Sequence, residues 1–345
     1  MTPGMPPPDP RANPHLVGHA AAEAALSEAM RVGRLHHAWL FTGPTGIGKA
    51  PLAFRFARRL LAGGGADDLF LPEFHPVFRR VAAGTHADLL TIEREWDPKR
   101  KKLRGEIIVA DARGIPDFLH LTPAEGGWRV VVVDGAEDLN HQAANAILKV
   151  LEEPPPRAVL LLVSAAPGRL LPTLRSRCRR LRLSPLTEAE VAGVLDRFQP
   201  GIEPAERDRL AAMAEGSPGR ALALAAGNGV GLAELVSQVL ENVPRLTVGR
   251  AHEVADALGR DDEAFGTFMD LLRTAVAASV RDMARGRADP DQIRLIGARP
   301  LDAWVDVWQG LCRLQDETEA FHLDKRQAIV TGLGLLAGSA PPRLQ

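Results

Sequence analysis

The segment GPTGIGKA, residues 43–50, constrains the fold of this 345-residue chain more than any other stretch. It follows an apolar run, 37–42, and precedes a helix-forming run, 51–61. A Gly-rich turn between a strand and a helix directs backbone N–H groups at a phosphate. The segment fits G-x-x-x-x-G-K-[ST] except at the last slot, where Ala50 replaces the hydroxyl that would hold Mg²⁺. The predicted phosphate contacts are Gly43, Gly46, Gly48 and Lys49.

Short apolar runs alternate with helical patterns between residues 37 and 185, which is typical of a parallel sheet covered by helices. The third and fourth runs are separated by residues 140–153, a helix-forming stretch that ends at three prolines. The sequence therefore predicts an α/β domain with a parallel five-stranded sheet. The predicted strands are 38–42, 89–92, 128–134, 158–164 and 180–183.

A strand ending in an acidic residue supplies the second half of a nucleotide site. The run WRVVVVD places Asp134 at the end of the third predicted strand, where it could act as a metal partner beside the phosphate loop. The next residue is Gly135, which cannot prepare an attacking water. Glu137 is close in sequence, but its spacing does not require it to face the site. Loss of a positioned base typically lowers a rate by ~10²- to 10⁴-fold, so hydrolysis in cis is not expected.

The sequence predicts helices for the rest of the chain. A capping box, Thr187–Glu190, opens a small helical segment that ends in the Gly-rich stretch 226–231. Beyond residue 232 only helical periods occur, among them one that contains Trp304 and Trp308, and such a stripe is more often core than partner surface. The predicted divisions are a disordered Pro-rich tail 1–14, a phosphate-loop α/β domain 15–185, a helical lid 186–229 and an all-helical domain 230–345.

Composition indicates the cellular compartment of the protein rather than its function. The formal net charge of −1 gives no global attraction to nucleic acid or membrane. The two cysteines, Cys178 and Cys312, are too far apart in sequence for a C-x-x-C motif and suit a reducing compartment. The first residues lack a signal-peptide pattern, and no apolar run approaches the ~18 residues of a membrane span. We expect a soluble, cytoplasmic protein.

Two local basic clusters are present. Five arginines lie between residues 175 and 182, and spacing alone does not separate a functional cluster from a solvated basic face. The run KRKKLR, residues 99–104, is expected at the turn of a hairpin between Leu90 and Ile107. A solvated hairpin tip is favoured there over phosphate contact, because Trp96 alone is available nearby for base stacking.

Two longer segments carry a family resemblance. Residues 143–155 read AANAILKVLEEPP, and residues 170–178 read LLPTLRSRC. Both segments resemble the AAA+ subunits of the bacterial clamp loader of DNA polymerase III. The segment FHLDKRQAI, residues 321–329, is similar to the last helices of such a subunit. The resemblance runs from about residue 18 to the C-terminus and implies an AAA+ domain, a small lid, and a collar domain that joins a pentameric ring.

The same resemblance implies roles for single residues. Arg177, in the Ser-Arg-Cys triplet, corresponds to an arginine finger that reaches the ATP of the neighbouring subunit. Ser164 falls at the position called sensor one. Gly219 takes the place of the sensor-two arginine, with Arg220 displaced by one position. Of these, we predict Arg177 to act in trans.

The family commonly carries a four-cysteine zinc module between the phosphate loop and the Asp strand. Here residues 66–106 contain no cysteine. His75 and His86 do not complete a tetrahedral site, so no metal site is predicted.

The expected function follows from the resemblance. It is a clamp-loader subunit that supports ATP-driven loading of the sliding clamp onto primed DNA during replication, without ATP hydrolysis of its own. The implied partners are the motor ATPase and delta subunits, the sliding clamp and, through the complex, primed DNA. Binding of ATP with Mg²⁺ is expected to be weak or absent. One alternative function is that of an ATP-hydrolysing motor subunit or another AAA+ ATPase, which Ala50, Gly135 and Gly219 disfavour. The second alternative is a scaffold in which Arg177 is inert.

Overall fold

The computed structural model describes residues 8–64, 68–97, 102–125, 127–258 and 261–338. The chain divides into two compact units, one ending at Leu222 and the other beginning at Ala223. This division differs from the predicted boundaries, because residues 186–222 belong to the first unit and are not separated from the α/β domain.

The first unit is built on the predicted parallel sheet. Its five strands follow the order β2-β5-β6-β1-β7, and every adjacent pair is parallel. A separate antiparallel pair, β3 and β4, joins Trp96 to Leu103, while residues 98–101 of the predicted basic hairpin turn lie outside the described residues. The strands are β1 Ala38–Thr42, β2 Leu89–Ile92, β3 Trp96–Asp97, β4 Lys102–Leu103, β5 Arg129–Asp134, β6 Ala158–Ser164 and β7 Arg179–Arg182.

Helices cover both faces of this sheet, and a single 3₁₀ turn, Ala136–Asp138, follows β5. The helix α10 contains the boundary between the two units. The helices of this part are α1 Ala20–Arg31, α2 Lys49–Leu61, α3 Pro76–Ala82, α4 Val109–Ala112, α5 Gly114–His120, α6 His141–Glu152, α7 Pro172–Arg175, α8 Glu188–Phe198, α9 Pro204–Met213 and α10 Pro218–Ala226.

Two apolar cores lie on opposite sides of the sheet. Successive residues of a strand point to opposite faces, so Trp39 and Phe41 of β1 pack in the core that contains α2, whereas Leu40 packs in the core that contains α6. All residues of β1 and β6 are buried, as expected for central strands of a parallel sheet. The position of β1 fixes the site, because the phosphate loop begins where this strand ends.

Residues 8–14 differ from the predicted disordered tail. Arg58 of α2 is 1% exposed and donates from Nη1 to the Arg11 carbonyl at 2.8 Å and from Nη2 to the Asn13 carbonyl at 2.9 Å. A buried guanidinium requires acceptors, and the backbone of this segment supplies them. The prolines indicated disorder, but this long-range contact holds the segment on α2.

The second unit is helical throughout its described residues, as predicted. A 3₁₀ turn, Val243–Arg245, follows its first helix. Trp304 is 1% exposed and donates from Nε1 to the Ile296 carbonyl at 3.0 Å, so it belongs to the core of this unit. The helices are α11 Gly229–Asn242, α12 Val248–Leu258, α13 Asp262–Ala284, α14 Pro290–Ile296, α15 Leu301–Phe321 and α16 Lys325–Ala337.

Among the described residues, no single helix has both the length and the hydropathy to cross a membrane. The bent pair α10 and α11 reaches those values together by length and composition only, and buried side chains such as Leu222 and Val236 lie within it.

Candidate phosphate-loop site

The predicted phosphate loop forms between β1 and α2. Three glycines hold it in the left-handed region, with φ of 151° at Gly43, 75° at Gly46 and 106° at Gly48. Residues other than glycine rarely adopt these values. Gly48 is the N-cap of α2, and Lys49 is its first residue, so the helix begins two residues earlier than predicted and its N-terminus faces the loop. The backbone of a phosphate cradle is therefore complete.

A cavity of about 590 Å³ opens on this loop, a size typical of ligand pockets. The phosphate loop, the end of β5 and the start of α10 all contribute to its wall. Its wall includes Lys49 and Ala50 of the loop, Asp134 and Gly135 at the end of β5, and Gly219 of α10. The sequence singled out these positions in three separate segments, and the fold brings them together.

Lys49 is 7% exposed and donates from Nζ to the Pro44 carbonyl at 2.5 Å. Burial lowers the pKa of this ammonium, and the nearby carboxylates of Glu137 and Asp134 oppose that effect. The side chain is folded back onto its own loop, so a phosphate would have to compete with one carbonyl oxygen for the ammonium.

Three carboxylates at the end of β5 line the cavity, those of Asp134, Glu137 and Asp138. Burial raises the pKa of Asp134, with a further contribution from Glu93, whereas Lys49 acts in the opposite direction. Glu137 lines the cavity and accepts a hydrogen bond at 2.8 Å from the Ala165 backbone N–H, so it does face the site although its spacing did not require it. No acidic side chain follows Asp134 directly, because Gly135 stands there with φ of 79°.

Four consecutive carbonyl groups of the loop accept hydrogen bonds from distant or local donors. The Pro44 oxygen accepts from Lys49 Nζ at 2.5 Å, and the Thr45 oxygen accepts from Ser217 Oγ at 2.9 Å. The Gly46 oxygen accepts from the Gly219 N–H at 2.9 Å, and the Ile47 oxygen accepts from His19 Nε2 at 2.7 Å. Sequence reasoning missed His19 and Ser217, because they are 28 and 172 residues from their acceptors and no local pattern signals the contacts. These bonds fix the loop in place.

Gly219 approaches the loop closely. A Cβ atom at this position would lie 3.0 Å from the Gly46 Cα and 3.1 Å from its carbonyl oxygen. A side chain at this place would therefore require the loop backbone to shift by a few tenths of an ångström. The start of α10 therefore packs against the loop through backbone atoms instead of presenting a cation to the cavity.

This contact yields a stability prediction. Gly219→Val should lower the free energy of unfolding by about 1–3 kcal/mol, because the larger side chain would overlap the loop backbone. Gly193→Val is the matched control, since a Cβ at that helical position meets nothing within 4 Å. Urea denaturation of both variants checks the prediction, and equal stability of the two would contradict the close packing of Gly219.

Ser164 does not line the cavity, although its neighbours Val163 and Ala165 do. Its hydroxyl is buried and has no hydrogen-bond partner among the described residues. The structure therefore places this predicted sensor beside the site, behind the wall formed by its neighbours.

Arg177 lies outside the cavity, just after α7. Its Nη1 donates to the Thr173 carbonyl at 2.9 Å, and its Nη2 forms an ion pair with Glu152 at 2.7 Å. The side chain is 35% exposed. The guanidinium is held by a carbonyl and by the last residue of α6, and it does not line the cavity of its own chain.

The two histidines of the cysteine-free segment make local contacts. His75 caps α3, with its Nδ1 accepting from the Val77 N–H at 3.2 Å, and His86 Nδ1 accepts from the Asp88 N–H at 3.2 Å. Among the residues that the structure describes, no group of three or more His, Cys, Asp or Glu side chains could hold a metal ion.

The fold and this site together define a class of protein. A five-stranded parallel sheet in the order β2-β5-β6-β1-β7, a Gly-rich loop between β1 and α2, and an aspartate ending β5 form an arrangement typical of α/β proteins that bind phosphate groups at a helix N-terminus.

Comparison with known proteins shows which proteins this chain resembles. Residues 18–187, just under half of the chain, match the family model described as DNA polymerase III, delta subunit. The delta-prime subunit of DNA polymerase III from Pseudomonas aeruginosa is 40% identical over 217 residues, 61% of each chain. That of Escherichia coli is 35% identical over 223 residues, 62% of each chain. The chain thus spans about three fifths of the length of these relatives.

Other relatives are more distant. The tau subunit of DNA polymerase III from Escherichia coli is 31% identical over 234 residues, which cover 65% of this chain and 35% of tau. A DNA polymerase III gamma subunit-related protein from Thermotoga maritima, known from a crystal structure, aligns over 91% of this chain and 98% of its own, with 18% identity and a TM-score of 0.43.

Proposed function

We propose that this chain is a clamp-loader subunit of the DNA polymerase III holoenzyme, acting in the bacterial cytoplasm. In this proposal it supports ATP-driven loading of the sliding clamp onto primed DNA, does not hydrolyse ATP itself, and supplies Arg177 to the ATP site of a neighbouring subunit. Its partners would be the motor ATPase and delta subunits, with the clamp and DNA engaged through the complex.

One observation carries the proposal. The phosphate loop is intact in its backbone, yet its cavity lacks the two groups that metal binding and water activation need, at Ala50 and Gly135. At the same time Arg177, a planar cation that is always charged, is displayed on the surface away from that cavity. A chain that cannot complete its own site but exposes such a cation is suited to complete the site of another chain.

The contacts of Arg177 suit an exchange of partners. A half-exposed ion pair such as the one with Glu152 is typically worth only about 0.2–1 kcal/mol. A phosphoryl group that gains negative charge in a site shielded from water attracts a guanidinium much more strongly. We therefore propose that Glu152 and Thr173 hold the guanidinium until the neighbour's phosphate takes their place.

The fit of a nucleotide to this chain's own cavity is partial. The loop N–H groups, the α2 N-terminus and Lys49 could hold phosphate groups, and the cavity is large enough for a nucleotide. A hydroxyl for Mg²⁺ is missing at Ala50, and Gly219 brings no cation. Bound ATP would supply a γ-phosphoryl group, but Gly135 leaves no carboxylate directly after Asp134, and the nearby Glu137 is held through one oxygen by the Ala165 N–H.

The purified chain should hydrolyse ATP at no more than background, because metal anchoring and water activation are both missing. Steady-state phosphate release by the full chain checks this, with Lys49→Ala as the matched control. Turnover above about one per second that disappears in Lys49→Ala would instead favour the ATP-hydrolysing motor subunit.

A further inference from the structure

The N-terminal segment 8–14 forms part of the wall of the phosphate-loop cavity. A turn shapes this segment, because the Ala12 N–H donates to the Asp9 carbonyl at 2.9 Å and the Arg11 N–H donates to Asp9 Oδ1 at 2.8 Å. Residues 9–12 therefore form one compact unit. We refer to residues 8–14 as the N-terminal strap. Its members that line the cavity are Pro8, Asp9, Pro10 and Asn13.

The C-terminal end of the strap is anchored on α2 by two arginines. The Asn13 carbonyl accepts at 2.9 Å from Nη2 of Arg58, a residue that is 1% exposed. The Pro14 carbonyl accepts from Arg55 Nη1 at 2.8 Å. A buried guanidinium that lost its acceptors would be left as an unsatisfied charge, which is strongly unfavourable. Residues 13 and 14 are therefore firmly attached to α2.

A weaker contact attaches the strap to the end of β2. Arg11 Nη2 donates to Glu93 Oε1 at 2.5 Å, and the two side chains are 25% and 51% exposed. Glu93 follows β2 directly, and the next residue, Arg94, lines the cavity, so this ion pair joins the strap to another part of the cavity wall. Among the residues that the structure describes, it is the only ion pair of the strap. Exposed ion pairs are weak, and salt screens them.

We propose that the N-terminal strap opens and closes the phosphate-loop cavity, with residues 13 and 14 as its hinge and the Arg11–Glu93 ion pair as its latch. A buried anchor at one end and a weak, exposed contact at the other allow local opening while the rest of the fold stays intact. When the latch breaks, the turn 9–12 swings away from the cavity while Arg58 keeps the Asn13 carbonyl. A small ligand such as a nucleotide then reaches Lys49 and the loop N–H groups. The strap rests on contacts within the first unit and not on the proposed function.

The test measures access to a thiol placed inside the cavity of the full chain. Ala50→Cys puts this thiol on the second residue of α2, which lines the cavity. Its reaction with N-ethylmaleimide, an uncharged reagent, is followed by mass spectrometry of the peptide that contains residue 50, separately from the native cysteines. Because labelling requires an open strap, its rate reports the open fraction. Adding Glu93→Gln should raise this rate about 2- to 5-fold, as expected for the loss of an exposed ion pair.

Glu28→Gln is the matched control. It breaks another exposed ion pair, 2.7 Å long, between Glu28 and Arg31 of α1, and neither residue lines the cavity, so labelling should not change. Arg11→Gln should give the same increase as Glu93→Gln, and the double variant should give no more than either, because both substitutions remove one interaction. The ratio of the Glu93→Gln rate to the Glu28→Gln rate should fall towards one at about 1 M salt, where the latch is screened.

Two results would overturn the strap. Equal labelling in Glu93→Gln and Glu28→Gln at low salt would mean that the ion pair is no latch. Labelling of the folded Ala50→Cys chain as fast as that of the urea-unfolded chain would mean that the strap covers nothing. Circular dichroism checks that each variant is folded. If Ala50→Cys does not fold, hydrogen exchange in peptides from residues 8–17 compares the Glu93→Gln and Glu28→Gln chains without a thiol, and equal exchange would again exclude the latch. None of these results involves Arg177, so a failure here leaves the proposed function intact.

Discussion

Arg177→Ala should lower ATP hydrolysis at one site of the assembled complex by about 10³- to 10⁵-fold, the effect typical of removing an arginine finger. The physical reason is that negative charge builds on the γ-phosphoryl oxygens as the bond breaks, and a fixed guanidinium stabilises that charge where water is excluded. Single-turnover hydrolysis by the complex, reconstituted from subunits of one bacterium, measures the effect. Because other sites continue to act, bulk turnover should fall less than clamp loading does.

The controls separate position from charge. Arg177→Lys should restore little activity, since an ammonium keeps the charge but loses the planar fork. Arg180→Ala removes a more exposed arginine of β7 and should have a smaller effect. Assembly of the complex should be unchanged in all three variants. Loading at the wild-type rate by Arg177→Ala, together with a loss in Arg180→Ala, would mean that another arginine acts; no effect in either would favour an inert scaffold.

Trp304→Ala should destabilise the helical unit by about 3–5 kcal/mol, the usual range for deleting a fully buried tryptophan. Trp304 is 1% exposed, is bonded to the Ile296 carbonyl and lies under the Arg299 guanidinium, whose carbon is 5.1 Å from the ring centroid. Trp308→Ala, four residues away and 39% exposed, should change stability by about 1 kcal/mol or less. Hydrogen exchange in peptides from residues 261–338 measures both variants separately from the first unit.

The difference in stability between Trp304→Ala and Trp308→Ala tests which of the two side chains belongs to the core. Equal destabilisation by the two substitutions would mean that Trp308 belongs to the core. A small effect of Trp304→Ala would contradict the packing of this unit.

The sequence predicted the central strands of the sheet well because they are buried on both faces. The residues of β6, Ala158–Ser164, form an unbroken apolar run closed by a serine, and the predicted and observed bounds are the same. At β7 the predicted bounds are displaced by one residue, since three of the four residues of this edge strand are arginines and carry no apolar signal. Residues 8–14 were mispredicted as disordered because composition does not reveal that Arg58, far along the chain, donates to their carbonyl groups.

The site was predictable where it depends on neighbouring residues and not where it depends on tertiary contacts. The glycines and Lys49 form a contiguous motif, so the loop was evident. His19 and Ser217 reach the loop from outside that motif, and only the fold reveals that they hold its carbonyl groups. The two tryptophans of α15 show the same limit, because a single helical period assigned both to the core and exposure separates them.

The most direct test of the account is the position of the Arg177 guanidinium in the assembled complex. Cryo-electron microscopy of the reconstituted loader with a non-hydrolysable ATP analogue would measure it. The account predicts a guanidinium nitrogen within about 2.7–3.1 Å of a γ-phosphate oxygen bound to a neighbouring subunit, with the ion pair to Glu152 released. An Arg177 still paired with Glu152 and out of hydrogen-bonding reach of every nucleotide would contradict it.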